Sequence, residues 1–266
     1  MLLVIDAGNT NTSLGVFAGP SLVAHWRLTT NRARTVDEYG ILSRNLFQLA
    51  KIDFKAIDAI AVASVVPPLN YTLKTMAETY FHLTPLFVDE STDTGLKILY
   101  EPASDVGADR IVDAVAAIHK YNAPCIVVDF GTATTFNAVN ERREYLGGVI
   151  TPGIMISSDA LFERTAKLPR VDIRRPHRVI GSSTMHAMQS GLYHGYVGLV
   201  DGVLHKMIEE LGGKPRIVAT GGLAPLIATG SEFIDVVDDT LTLEGLRLVY
   251  ERVVTKREQS AKSEGP

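Results

Sequence analysis

One strand-and-turn pattern occurs twice in this chain, 123 residues apart from Asp6 to Asp129. The first copy is Leu2-Leu3-Val4-Ile5-Asp6-Ala7-Gly8-Asn9-Thr10-Asn11-Thr12-Ser13. The second is Cys125-Ile126-Val127-Val128-Asp129-Phe130-Gly131-Thr132-Ala133-Thr134-Thr135-Phe136. At this constant offset Val4 matches Val127, Asp6 Asp129, Gly8 Gly131, Thr12 Thr135 and Val16 Val139. Four apolar residues bounded by turn residues predict a buried strand. Leu14-Gly15-Val16-Phe17 turns apolar again, so the first copy reads as a hairpin. A repeat at fixed spacing means one structural unit built twice. The expectation is two domains of one fold, whose polar hairpins grip a nucleotide from opposite sides.

The hairpin carries the chemistry of a phosphate cradle. Gly8 can take positive φ and lets backbone N–H groups approach a ligand. The Asn, Thr and Ser side chains add amide and hydroxyl donors. Asp6, at the strand end, can face Mg²⁺ through water, because hard cations take oxygen ligands. The pattern differs from the G-x-x-x-x-G-K-[ST] loop and has no lysine. A single copy would mean no more than a polar hairpin; the recurrence gives it weight. The cradle is therefore assigned to Asp6, Ala7, Gly8, Asn9, Thr10, Asn11, Thr12 and Ser13, with the Thr132 hydroxyl of the second copy reaching a phosphate.

Paired strand–Asp–Gly hairpins resemble the acetate and sugar kinase/heat-shock ATPase/actin superfamily. The fuller set is Asp6-Ala7-Gly8-Asn9-Thr10, Gly107-Ala108-Asp109-Arg110, Asp129 to Thr135, and Gly147-Gly148-Val149-Ile150-Thr151-Pro152-Gly153. In this order, over about residues 1 to 255, it resembles the type III pantothenate kinase family. The resemblance implies an α/β fold of two ribonuclease-H-like domains with the nucleotide in the cleft between them. It implies ATP with Mg²⁺, and phosphorylation of pantothenate on the way to coenzyme A. It also implies contacts to pantothenate from Tyr100 and Thr184, a K⁺ or NH₄⁺ ion at Asp129, and a homodimer. Gly221-Gly222 resembles the superfamily's adenosine-side turn.

Asp109 is the candidate base. It falls in the first turn of a helix, where the positive dipole end favours a carboxylate, so it is expected to be ionised at neutral pH. Phosphoryl transfer has a loose transition state and needs an oriented hydroxyl more than a strong base. A plain helix-start role for Asp109 is equally compatible with the spacing; the family resemblance favours catalysis. Arg110 offers a forked donor suited to a carboxylate, such as the one pantothenate carries, or alternatively a pairing with Asp113. Gly107 and Ala108 complete this acceptor-binding element.

Composition bounds the remainder. The 266 residues allow one large or two modest domains. A net charge of −4, with no basic run longer than Arg174-Arg175 before the tail, argues against nucleic acid as the main partner. The one cysteine, Cys125, sits in an apolar strand and reads as a buried hydrophobe, which fits a reducing cytoplasm. No secretory signal or membrane span is expected. No His/Cys spacing suggests zinc.

Residues 2 to 30 read as three antiparallel strands, followed by a helix capped by Thr35 and Glu38. A buried strand (57–66), a helix and the strand Leu86-Phe87-Val88 follow, which is the ribonuclease-H-like order. Residues 91–106 read as a loop. The domains are placed at 1–122 and 123–255, because Pro124 stops a helix just before the second repeat. In the second copy, strands at 125–139 and 145–151 lead to a loop. A helix begins near Gly181-Ser182-Ser183-Thr184, and a last one spans about Thr242 to Val254. Residues 256–266 read as a disordered tail. Rival readings are an actin-like-fold regulatory ATPase, a transcriptional accessory protein without kinase activity, and a sugar kinase. The Gly107–Arg110 element speaks against the ATPase, which has no acceptor to hold. The missing basic face and helix-turn-helix signal speak against the accessory protein.

Overall fold

The computed structural model describes residues 1–263, with side chains described through Ser260. In chain order, β1 (Leu2–Ala7), β2 (Asn11–Ala18) and β3 (Ser21–Thr29) precede α1 (Val36–Leu49) and β4 (Ala59–Ser64). Next come α2 (Pro67–Met76), β5 (Leu86–Phe87), β6 (Lys97–Ile98) and α3 (Ala108–Tyr121). The second repeat opens β7 (Cys125–Phe130), β8 (Ala133–Val139) and β9 (Glu144–Pro152). It continues through α4 (Ile154–Glu163), α5 (Thr184–Leu211), β10 (Arg216–Thr220), α6 (Ala224–Ala228) and β11 (Val236–Val237), and α7 (Leu241–Ser263) closes the described chain. Among the described residues no helix is long and apolar enough to cross a membrane.

Two compact units result. The first holds residues 1–96, 100–116 and the segment from Leu241; the second holds Lys97–Leu99 and Ala117–Thr240. The first unit's sheet has the order β3-β2-β1-β4-β5. Its three N-terminal strands are antiparallel, while β4 and β5 run parallel to β1. The second unit's sheet reads β11-β10-β7-β8-β9-β6, the same order with β6 added at the edge. The duplication read from the sequence is thus a duplication of topology.

Period-two alternation explains how the first sheet is filled. Leu3, Ile5 and Ala7 pack with Tyr39 and Phe47 of α1 and Leu69, Leu73 and Met76 of α2. Leu2 and Val4 face the other way, against Ala108 and Val112 of α3 and Leu243, Leu246 and Val249 of α7. A strand covered on both faces must be apolar throughout, and β1 is until Asp6. Trp26 stacks on Phe47 at 5.5 Å between centroids. The Thr35/Glu38 capping box forms, with Glu38 N donating to Thr35 Oγ1 and Thr35 N to Glu38 Oε2. In the second unit Ile126 and Val128 of β7 pack with Tyr193, Tyr196, Val200 and Leu204 of α5.

Four details differ from the sequence reading. Helix α7, expected to end near Val254 in the second domain, packs on β1 in the first unit and stays helical to Ser263. Lys, Arg, Glu, Gln and Ala carry helices well, and Arg252 and Lys256 both pair with Asp93, at 3.2 and 2.6 Å. The tail expected to be disordered is therefore helical over residues 256–263; residues 264–266 lie outside the described residues. The stretch 91–106, expected as loop, contains β6, which pairs parallel with β9 and is pinned by Lys97 to Glu144 at 2.8 Å. Helix α4 stands where a loop was expected after β9.

The fourth difference is one of register. Three residues separate β1 from β2, and two separate β7 from β8. Thr12 pairs with Ala7, and it is Thr134, not Thr135, that pairs with Phe130. The constant offset holds through the strand and the first turn residue, then slips by one. Thr12 and Thr134 are the buried counterparts, bonded to Thr30 and to Tyr196.

Candidate active site

In the first unit the site begins where the parallel strands β1 and β4 end. Ligands of open α/β sheets gather outside such carboxyl ends. Asp6 follows Leu2 and Val4 by strand alternation, so it lies on the face that α3 covers. Val65 N donates to Ala7 O at 3.1 Å and brings the chain after β4 beside the first turn. Gly8 N donates to Asn11 O at 3.0 Å, closing that turn.

The turn is stitched to the end of β3. Thr30 Oγ1 donates to Gly8 O at 2.7 Å and lies 2.8 Å from Thr12 Oγ1; Thr30 N donates to Thr10 O at 2.9 Å. Arg32 Nη2 donates to Asn9 Oδ1 at 3.1 Å. Neither Thr30 nor Arg32 was singled out from the sequence, because their role comes from a pairing across the sheet that no local motif announces. Asn9 and Thr10 remain exposed at the turn's tip.

The acceptor element sits at the start of α3. A Cβ on Gly107 would lie 2.5 Å from Asp109 Oδ1 and 3.1 Å from Val65 Cγ1, so only glycine leaves the carboxylate its place. Arg110 N donates to Asp109 Oδ1 at 2.8 Å. Arg110 is buried, and its guanidinium carbon lies 5.9 Å from the centre of the Tyr100 ring. Tyr100, Gly107, Ala108, Asp109 and Arg110 are therefore brought together, next to the strand end that carries Asp6. Asp113, the alternative partner considered for Arg110, is also buried.

Asp109 does not have the lowered carboxyl that a helix start alone would give it. Burial pushes its carboxyl above the ordinary carboxylate range, outweighing the Arg110 backbone N–H and the Arg110 charge. The helix start helps a carboxylate, but desolvation is the larger effect. A raised value suits a group that must accept a proton. The sign for stability follows: the folded chain holds this proton more tightly than the unfolded chain does. Its favourable contribution is full below the unfolded value and is lost as pH rises through the folded one.

In the second unit Asp129 stands opposite Thr220 in the parallel pairing of β7 and β10. Its carboxylate is packed between two glycines. A Cβ on Gly131 would lie 3.2 Å from Asp129 Oδ2, and one on Gly221 would lie 2.5 Å from Oδ1 and 2.7 Å from Phe130 N and O. Gly221 also has φ +92°, which L side chains resist. Gly221→Ala is expected to destabilise the protein by about 1–3 kcal/mol through overpacking and backbone strain; urea melts check this, and an unchanged midpoint would contradict the packing described. Gly153 closes on the carbonyls of Gly131 and Thr132, which fixes the turn that carries Thr132.

Thr184 is exposed and opens α5 as its first helical residue. The cap is Ser183, whose Oγ accepts from His186 N at 3.3 Å. Thr184 and Thr132 belong to the second unit, with Asp129, and the remaining predicted site residues to the first. Among the described residues no group of three or more His, Cys, Asp and Glu gathers to hold a metal.

Many known proteins match this chain in sequence or fold. The family model described as type III pantothenate kinase matches residues 2–206. A type III pantothenate kinase of Koribacter versatilis is 58% identical over 262 residues, spanning 95% of this chain and 96% of that protein. One from Anaeromyxobacter is 58% identical over 252 residues, spanning 95% of this chain and 99% of that protein. Among solved structures, the activator of 2-hydroxyisocaproyl-CoA dehydratase from Clostridium difficile, with bound ADPNP, has a TM-score of 0.56 at 11% identity. That comparison covers 100% of this chain and 98% of the activator, and it shows the shared fold. With a family model over most of its length and relatives more than half identical across nearly all of it, this chain belongs to the type III pantothenate kinase family.

Proposed function

We propose that the protein transfers the γ-phosphoryl group of ATP to the primary hydroxyl of pantothenate, giving 4′-phosphopantothenate and ADP, the first step toward coenzyme A. Membership of the family supports the reaction. The observation that carries the residue roles is the grouping of Asp109, Arg110 and Tyr100 beside the end of β1. Asp109 accepts the hydroxyl proton as the oxygen attacks the phosphorus. Arg110 and Tyr100 hold the acceptor by its carboxylate and its chain. Gly107 and Ala108 let the acceptor approach the helix start, and Thr184 adds a further contact. The first turn, Asp6 to Ser13, receives phosphates, Thr132 is a further phosphate-binding residue, and Asp6 would hold the Mg²⁺ of the nucleotide. Mg²⁺ supplies charge neutralisation on the phosphates. Incubating protein, ATP and pantothenate and following phosphorus by NMR tests this; a pantothenate phosphomonoester is the expected product.

Asp129 takes a monovalent cation, K⁺ or NH₄⁺, in this reading. Its carboxylate lies at a strand end among turn carbonyls, a loosely built oxygen set without the octahedral demand of Mg²⁺. Activity is expected to require K⁺ or NH₄⁺, with Na⁺ a poor substitute. Asp129→Ala is expected to raise the KM for ATP and abolish the K⁺ response. Titrating KCl against NaCl at constant ionic strength reads this directly. Wild-type activity indifferent to the cation would remove the role.

The protein works as a homodimer in the cytoplasm in this reading. Support comes from exposed apolar side chains of the second unit: Val179 and Ile180, 66% and 88% exposed, with Met155, Ile156 and Phe162 of α4 and Met185 of α5. Apolar surface of this kind marks an interaction site.

A further inference from the structure

We infer that Arg32 is an additional nucleotide-binding residue, donating to the phosphate chain held by the first turn. Arg32 lies two residues past Thr30, which fastens the end of β3 to Gly8, Thr10 and Thr12. That stitching fixes where the chain leaves β3. The guanidinium then reaches the tip of the turn, where Nη2 donates to Asn9 Oδ1 at 3.1 Å.

The charge at this tip is uncompensated. No carboxylate lies within ion-pair distance of Arg32 among the described residues, whereas Arg216 and Arg252 each have one and Arg247 has two. A guanidinium has five N–H donors in a planar fork, and Asn9 occupies one nitrogen. The remaining donors are exposed beside Asn9 and Thr10. A fixed fork of this kind matches phosphate oxygens in pairs. The recognised group is the polyphosphate of a nucleotide. A neutral acceptor or the adenine ring would gain far less from its charge than the phosphates do.

This inference rests on the nucleotide half of the proposed function and not on the identity of the acceptor. The test is therefore nucleotide binding alone, by calorimetry, without pantothenate. Arg32→Gln keeps an N–H donor for Asn9 but removes the charge; Arg32→Lys keeps the charge but loses the fork. For the β,γ-imido analogue of ATP, R32Q is expected to bind about tenfold or more weakly, R32K in between, and the R32Q defect is expected to shrink as salt is raised. AMP, which lacks the outer phosphates, is expected to bind wild type and R32Q alike. Unchanged affinity of R32Q for the ATP analogue overturns the inference. Equal losses for AMP and the analogue overturn it too, since Arg32 would then only brace the turn. Wild-type protein that binds neither nucleotide overturns it together with the kinase reading. Wild-type protein that binds the analogue but does not phosphorylate pantothenate removes the acceptor assignment alone.

Discussion

Asp109→Asn is expected to lower kcat by about 10²–10⁴-fold, the usual worth of a positioned base, and to unfold at a higher temperature than wild type. The two halves of this result have one cause. Burial pushes the Asp109 carboxyl up, because its ionised form carries a desolvation penalty. Asn has nearly the same shape and no charge, and relieves that penalty. Gly107 still leaves room for the side chain, which would otherwise meet a Cβ at 2.5 Å. Sites that sacrifice stability for function behave in this way. The same shift sets the pH profile. Wild-type kcat/KM should fall as pH falls, with its acid limb above the ordinary aspartate value of about 3.9, and the limb should vanish in the Asn variant. Steady-state rates across pH and a thermal melt check both halves. Near-normal turnover in the variant would remove Asp109 from the chemistry.

Arg110→Ala is expected to weaken transition-state binding of pantothenate by about 2–5 kcal/mol, the range for removing one partner of a desolvated charge pair. Arg110 is buried beneath Tyr100, so its pairing with an incoming carboxylate is shielded from water. Arg110→Lys keeps the charge and loses the two-pronged geometry, and should fall between. Pantothenol lacks the carboxylate. The Ala variant should therefore show little further loss with pantothenol as acceptor. Equal losses on both acceptors would place Arg110 in folding and not in recognition.

The sequence carried the architecture because the repeat and the hydrophobic periods are local. Strand order in both sheets follows from an apolar run, a hairpin and alternating helices, each readable in a short window. The grouping of Tyr100 with Arg110 was legible only through motif resemblance, since nothing in the spacing of the two residues requires their contact. Three things were hidden for physical reasons. The upward shift of the Asp109 carboxyl comes from its burial, which no helix-start rule contains. The match of Thr12 to Thr135 failed because one turn is a residue shorter, and a one-residue slip turns a side chain to the other face. The home of α7 was set by Leu243, Leu246 and Val249 against Leu2 and Val4. Its partner strand lies at the opposite end of the chain.

The identity of the acceptor is tested most directly by coupled ADP release from wild-type protein with ATP, Mg²⁺ and K⁺, offered pantothenate or a panel of sugars. ADP release that depends on pantothenate, with the sugars no better than buffer, is the predicted result. Release driven by a sugar, or release at the same rate with no acceptor present, would contradict it.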